Sequence, residues 1–124
     1  MPRRKLDPLP SAAFQILLAL TEEKMHGYAI MRQVESQTDG RVRLGPGTLY
    51  SSIQTLLEEK LIEEVIAGEL AGEQEPGGPS ASAERRRYYR ITSAGRKVAR
   101  TEAERLADLL RVARARKVLR GDYV

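Results

Sequence analysis

The feature that most constrains the fold is a helix signal at residues 46–60, which is followed by two short apolar runs. Pro46 presets the backbone φ angle of a first helical turn, where its missing N–H has no intrahelical partner to lose. Apolar residues then recur at helical spacing at Leu49, Ile53, Leu56 and Leu57. The pattern predicts an amphipathic helix with one face in a core.

The other face of this helix carries small, uncharged groups, namely Gly47, Thr48, Ser51, Gln54 and Thr55. Side chains of this kind suit hydrogen bonding to base edges in a DNA groove. They suit the polar exterior of an ordinary amphipathic helix equally well. The segments that follow decide between these two interpretations.

The two apolar runs predict strands at about 62–67 and 86–92, and a further helix at about 93–120 follows them. Between the strands, residues 68–84 are rich in glycine and proline and contain four acidic residues and no basic one. Such a composition buries too little apolar surface to order itself, so we expect a flexible loop. We predict a mainly α fold with a small β-hairpin (α+β), a winged helix-turn-helix with a long C-terminal dimerisation helix.

Two more helices are predicted before this unit, at about 11–22 and 27–38. Ser11 is placed to cap the first of them, and the alternating residues 41–44 are compatible with a short strand. Polar and acidic residues in and after the first helix argue against a secretory signal, and no apolar stretch is long enough to span a membrane. The predicted division is a DNA-binding domain at 9–92 and a dimerisation helix at 93–120.

The last helix carries Ala99, Ala103, Leu106, Leu110 and Ala113 at spacings of 4, 3, 4 and 3, which is typical of a two-helix seam. The alternative is a helix that packs on its own domain. A helix of about 40 Å exceeds so small a core, which favours a homodimer. The first helix is apolar on more than one side, so a second surface besides its own domain must pack against it. The predicted dimer interface consists of Phe14, Leu17, Leu18, Ala103, Leu106, Leu110 and Ala113.

Charge is distributed unevenly along the chain. Residues 85–120 contain thirteen basic against three acidic residues, whereas residues 56–84 contain eight acidic residues and one lysine. A basic cluster in a small domain points to a polyanion, most often nucleic acid. Cysteine is absent and histidine occurs once, so we predict no enzyme, no metal site and no cofactor. The lack of cysteine fits a cytoplasmic location.

Four motifs then occur in an order that resembles the PadR-like family of bacterial transcriptional regulators. The matching residues are His26-Gly27-Tyr28-Ala29-Ile30, Gly45-Pro46-Gly47-Thr48-Leu49-Tyr50, residues 56–62, and Arg87-Tyr88-Tyr89-Arg90-Ile91-Thr92 with Gly95. The resemblance implies a homodimeric repressor of the short form, with a single C-terminal helix. Some relatives release DNA on binding small aromatic compounds. Some also stack planar ligands on an interfacial tryptophan, which this chain lacks.

The predicted DNA-binding residues fall into those expected to contact bases and those expected to fix the position of the protein on the DNA backbone. Thr48 and Ser51 are expected to reach phosphates or bases, and Gln54 to read adenine bidentately. For Tyr50, a phosphate contact through its hydroxyl and a purely packing role both remain open. Arg85, Arg86 and Arg87 are expected to contact phosphates or the minor groove, with the acidic loop tip pointing away from DNA.

Alternation along a strand places Arg87 with Tyr89 on one face and Arg86 with Tyr88 on the other.

A functional alternative is a winged-helix module that binds a partner protein instead of DNA. The response to salt separates the two functions, because only phosphate binding weakens linearly with salt on logarithmic axes.

Overall fold

The structure, a computed structural model, describes residues 8–65 and 87–119. The elements in this part of the chain are α1 (Ser11–Ala19), β1 (Met25–His26), α2 (Gly27–Gln37), α3 (Pro46–Glu58), β2 (Ile62–Val65), β3 (Tyr88–Ile91) and α4 (Ser93–Ala115). The strands form an antiparallel sheet in the order β1-β3-β2. Four helices with a small antiparallel sheet confirm the predicted α+β class.

One apolar core joins these helices to the sheet. Its most deeply buried side chains, each at most 2% exposed, are Ile16, Leu17, Leu20, Ile30, Val34, Leu49, Ile53, Leu56, Leu61 and Ile62. The core positions of α3 are those that its helical spacing predicted, so its polar face is turned outward. Each helix within 8–65 and 87–119 is too short or too polar to span a bilayer.

The start of α1 differs from the prediction that Ser11 caps it. Pro10 occupies the N-cap position, and Ser11 is the first helical residue. The Ser11 hydroxyl accepts a hydrogen bond from Gln15 Nε2 at 3.4 Å instead of one from the first-turn backbone. Proline one residue earlier already supplies the extended backbone that leads into the helix.

The strand expected at residues 41–44 is absent from the described structure. The Val42 N–H donates to the Thr38 hydroxyl at 3.0 Å, which holds this segment to the end of α2. A strand that was not predicted, β1, pairs Met25 with Tyr89 and His26 with Tyr88. Two residues are too few to show a strand period in the sequence.

All four helices are shorter than predicted. Two predicted strand ends, at 66–67 and at 86, and the loop at 68–84 lie outside the described residues. Helix α3 ends at Glu58 because Lys60 takes a left-handed conformation with φ of 63°. The Leu61 N–H then donates to the Leu56 carbonyl at 3.0 Å, which closes the last turn. The chain leaves α3 directly into β2.

Helix α4 is joined to the end of α3 through Thr92. The Thr92 hydroxyl accepts from the Gly95 N–H at 3.0 Å, which caps α4, and donates to the Lys60 carbonyl at 2.9 Å. The Thr92 N–H donates to the Leu61 carbonyl at 3.0 Å. Gly95 lies so close to that carbonyl that no side chain fits there. The long helix therefore starts from a fixed point beside α3.

Candidate nucleic-acid interface

The exposed surface of α3 begins at its first residue. Thr48, Tyr50, Ser51 and Gln54 are all exposed and lie within its first three turns, while the buried Leu49 anchors the helix from below. Gly45, the N-cap residue, makes no side-chain cap, so the first-turn N–H groups are open to an anion. The four predicted residues of α3 thus share one accessible surface at a positive helix end.

Gln54 is already engaged within α3. Its Nε2 donates to Oε2 of Glu58, one turn later, at 3.3 Å. The amide oxygen is then the group left for a partner outside the helix. Bidentate pairing with adenine uses both amide atoms, so Gln54 must leave Glu58 to read that base in the predicted way.

Tyr50 rests against the start of α2. Its side chain is 51% exposed, yet its hydroxyl and ring occupy the space that a side chain at Gly27 would need. The Tyr50 Cζ atom is 2.9 Å from the position of a Cβ on Gly27. Packing between the two helices is therefore a real role of Tyr50, and the exposed half of the side chain is free for a second one.

Strand β3 lies next to the same end of α3. Tyr89 is 4% exposed, and burial raises the pKa of its phenol, with a smaller increase from the Glu64 carboxylate. Tyr50 also raises that pKa, whereas Arg87 lowers it, so these groups are electrostatic neighbours. The structure therefore brings Arg87 and Tyr89 together, as alternation predicted, and Tyr89 lies near Tyr50 of α3.

The arginines of the returning strand are paired with acids of β2. Arg87 Nε is 3.7 Å from Glu64 Oε2, and Arg90 Nε is 2.7 Å from Glu63 Oε2. These pairs are solvent-exposed and weak, so a phosphate can replace either carboxylate. Arg85 and Arg86 lie outside the described residues.

His26 caps α2. Its Nδ1 accepts from the Ala29 N–H at 3.2 Å, and its ring makes an edge contact with Tyr88 at 5.4 Å between centroids. The only histidine thus has a structural task between the sheet and α2. Residues 8–65 and 87–119 contain no group of three acidic or histidine side chains arranged to hold a metal ion.

The predicted dimer residues divide into buried and exposed sets. Leu17 is fully buried in its own domain, so it belongs to the core and we remove it from the dimer surface. Leu18 and Leu110 are 39% and 48% exposed, and Ala103 is exposed. Half-buried positions in the predicted interface are Phe14, Leu106 and Ala113. Exposed Leu109 and Val112 widen the apolar stripe on α4.

An open cleft of about 650 Å³ lies beside this stripe, between α1, the end of α2 and α4. Its apolar lining comes from Phe14, Leu18, Met25 and Leu106. Its polar lining includes Gln15, whose Oε1 atom is buried and lacks a hydrogen-bond partner in the described structure. The cleft is thus lined by the aromatic ring of Phe14 and by Gln15, whose amide oxygen has no hydrogen-bond partner in the described structure.

One exposed pair on the first turns of α2, Tyr28 and Arg32, was not predicted from the sequence. The Arg32 Nη1 donates to the Tyr28 hydroxyl at 3.4 Å. An aromatic residue and an arginine spaced i, i+4 at a helix start were the available signal.

Comparison with known proteins identifies the family. The profile of the "Transcriptional regulator PadR-like family" matches residues 16–101. A transcriptional regulator from Clostridium thermocellum has a similar structure, with a TM-score of 0.66, 26% identity, and coverage of 84% of this chain and 87% of that one.

Two relatives are of uncharacterized function. One is a 37.1 kDa protein in transposon TN4556 of Streptomyces fradiae, 34% identical over 98 residues that make up 79% of this chain. The other is protein X of Lysinibacillus sphaericus, 31% identical over 81 residues that make up 65% of this chain. The aligned regions span 24% and 64% of the lengths of these relatives.

Three observations agree on the family of this chain. They are the exposed polar face of α3, the small sheet beside it and the match to the family profile. The family consists of transcription regulators and not of enzymes, which confirms that prediction. The chain belongs to the PadR-like family of transcriptional regulators and has a winged-helix fold.

Proposed function

We propose that this regulator represses transcription by binding an inverted-repeat operator as a homodimer. The observation that carries this proposal is the exposed face of α3, where four hydrogen-bonding side chains lie along the three turns that follow a positive helix end. Thr48, Ser51 and Gln54 are the base-reading candidates, and Tyr50 and Arg87 position the helix through phosphates. Its task requires access to the chromosome, which implies a cytoplasmic location.

A homodimer is supported by the apolar stripe on α4. Three large side chains in its second half, Leu109, Leu110 and Val112, are each about half exposed. A contiguous apolar surface on a small domain marks an interaction site. Leu18 and Phe14 of α1 continue this surface, so we propose that α4 and α1 together meet their counterparts across a two-fold axis.

Dimerisation would leave α3 exposed, because α3 and the second half of α4 are separate surfaces joined through Thr92. Two copies of α3 related by two-fold symmetry would enter successive major grooves on one side of the duplex. The half-site centres would then lie about 34–36 Å apart, or at a multiple of one helical turn. An inverted repeat in the operator follows from this symmetry.

The cleft between α1 and α4 is the proposed site for a small aromatic effector. Phe14 and Leu18 offer ring and aliphatic contacts, and Gln15 Oε1 offers an acceptor to a phenolic or amine hydrogen. A dimer formed over the adjoining stripe would cover the open side of this cleft. Effector binding would then compete with, or reshape, the contact between subunits and so change the distance between the two α3 helices.

Selection of bound sequences from random duplex DNA tests the main proposal. We expect an enriched inverted repeat, and affinity for it should fall linearly with salt on logarithmic axes with a slope of about −0.9 per phosphate contact. If no sequence is enriched and the salt response is flat, the protein-interaction module becomes the better account. Sedimentation of the free protein tests the homodimer independently.

A further inference from the structure

Tyr28 and Arg32 form an exposed pair on α2 that lies outside the residues assigned to DNA above. The Tyr28 side chain is 58% exposed, the largest exposed fraction of any tyrosine in the described residues. The Arg32 Nη1 donates to its hydroxyl at 3.4 Å, and the guanidinium carbon lies 5.8 Å from the ring centroid. The ring and the hydrogen bond together hold the guanidinium in place.

The position of this pair is fixed relative to α3. Tyr50 of α3 packs against Gly27, the residue directly before Tyr28, so the first turn of α2 adjoins the exposed start of α3. His26 caps that turn on its other side and ties it to Tyr88. The pair therefore borders the proposed DNA-reading surface and projects from a turn that Gly27 and His26 hold to α3 and to the sheet.

The chemistry of the pair suits a phosphate. While Tyr28 accepts from Arg32, its own phenolic hydrogen remains available for donation, and the guanidinium keeps further N–H groups. The nearest acid on the same helix, Glu35, is engaged by Arg43, with Nε 3.1 Å from Oε2. Tyr28, Arg32, Glu35 and Ser36 line a shallow depression of about 510 Å³ that opens to solvent. Hydroxyl and guanidinium donors thus share an accessible concavity with one carboxylate, which Arg43 pairs.

We propose that Tyr28 and Arg32 bind one backbone phosphate of the operator, on the strand that flanks the base pairs beneath α3. The inference rests on the proposed function, since it requires α3 to enter the groove. It adds a phosphate contact on α2 to those proposed for Tyr50 of α3 and for Arg87 beside β3. Two anchors on separate helices fix the angle at which α3 enters the groove, so the pair positions the reading side chains without reading bases itself.

Binding of the selected operator and of an unrelated duplex, measured by fluorescence anisotropy over a series of salt concentrations, tests this site. Arg32→Gln should weaken both duplexes about ten-fold and reduce the salt slope by about 0.9. Tyr28→Phe should weaken both duplexes about three-fold and leave the slope unchanged, because it removes no charge. Arg111→Gln is the matched control, since Arg111 is exposed but pairs with Asp108 on α4.

Operators with a neutral methylphosphonate at one position at a time locate the phosphate. One symmetric pair of positions should weaken the wild-type protein and leave Arg32→Gln without further loss. Arg32→Lys should retain the salt slope while losing part of the affinity. This result would separate the effect of the positive charge from that of the planar guanidinium, which can donate two parallel hydrogen bonds. Thermal melting should show that all variants are folded at the assay temperature.

Two results distinguish failure of this inference from failure of the proposed function. If wild-type protein selects an operator while Arg32→Gln keeps its affinity and salt slope, the pair is only an intrahelical contact and the inference is overturned. If wild-type protein selects no operator, the proposed function fails, and this inference fails with it.

Discussion

The side chain of Tyr50 in α3 fills the space where a side chain at Gly27 in α2 would lie. Glycine at this position lets α2 and α3 approach each other near their N-terminal ends. Tyr50 remains half exposed in this arrangement. The contact thus sets where α3 sits on the domain and leaves a phenolic edge facing outward.

Gly27→Ala should displace Tyr50 and weaken operator binding about ten-fold, with little change in melting temperature. The added methyl group collides with the end of a half-exposed side chain that can swing aside, so the fold itself need not change. Anisotropy with Gly27→Ala, Tyr50→Ala and the double variant measures the coupling. If Gly27→Ala costs as much affinity in the Tyr50→Ala background, its effect does not pass through Tyr50.

Thr92→Val should lower the free energy of unfolding by about 1–2 kcal/mol. It removes the cap on the Gly95 N–H and the hydrogen bond to the Lys60 carbonyl, while it keeps a β-branched shape. Thr92→Ser retains the hydroxyl and is the control. Urea unfolding followed by circular dichroism measures both variants, and equal losses would show that the hydroxyl is not the stabilising group.

Leu106→Glu combined with Leu110→Glu should yield a monomer with much weaker operator binding. Both side chains lie on the proposed dimer surface, where burying a new charge without a partner is unfavourable. Ala94→Glu with Thr101→Glu adds the same charge at exposed positions in the first half of α4, on the side opposite Leu106 and Leu110. Sedimentation should show a dimer for this control only, and an intact dimer for both would exclude the seam on α4.

Gln54→Ala and Arg87→Ala should have opposite signatures in DNA binding. Gln54→Ala should cost about 1–3 kcal/mol at one symmetric pair of base positions and leave the salt slope alone. Arg87→Ala should weaken all sequences alike and reduce the slope by about one. Glu58→Ala should leave the preferred base unchanged, because bidentate reading already requires Gln54 to leave Glu58. Equal weakening of operator and random DNA by Gln54→Ala would move specificity to Thr48, Ser51 or DNA shape.

Alkaline pH should destabilise the domain through Tyr89. Burial raises the pKa of its phenol above the unfolded value of about 10. The stability that this group contributes is therefore fully present below about pH 10 and is lost as the pH rises through the folded-state pKa. Urea midpoints above pH 10 should fall less steeply for Tyr89→Phe than for wild type. Identical slopes for wild type and Tyr89→Phe would show that Tyr89 does not cause the loss of stability.

The sequence alone determined the elements whose residues repeat along the chain. The spacing of Leu49, Ile53 and Leu56 placed the buried side of α3, and thereby exposed Thr48, Ser51 and Gln54. Alternation likewise put Arg87 and Tyr89 on one face of the returning strand. These features depend on the local period of the backbone, which is visible in a single segment.

The tertiary structure decided which segments meet. The two-residue strand β1 forms because it pairs with β3. It is too short for an alternation of apolar and polar residues to be visible in the sequence. Leu17 has the same apolar character as Leu18, but only packing against the other helices shows that one is core and the other surface. The contact between Gly27 and Tyr50, and the location of Tyr28 and Arg32 beside α3, join residues that are far apart in sequence. Such contacts depend on the summed packing of several elements, so local patterns of residues do not encode them separately.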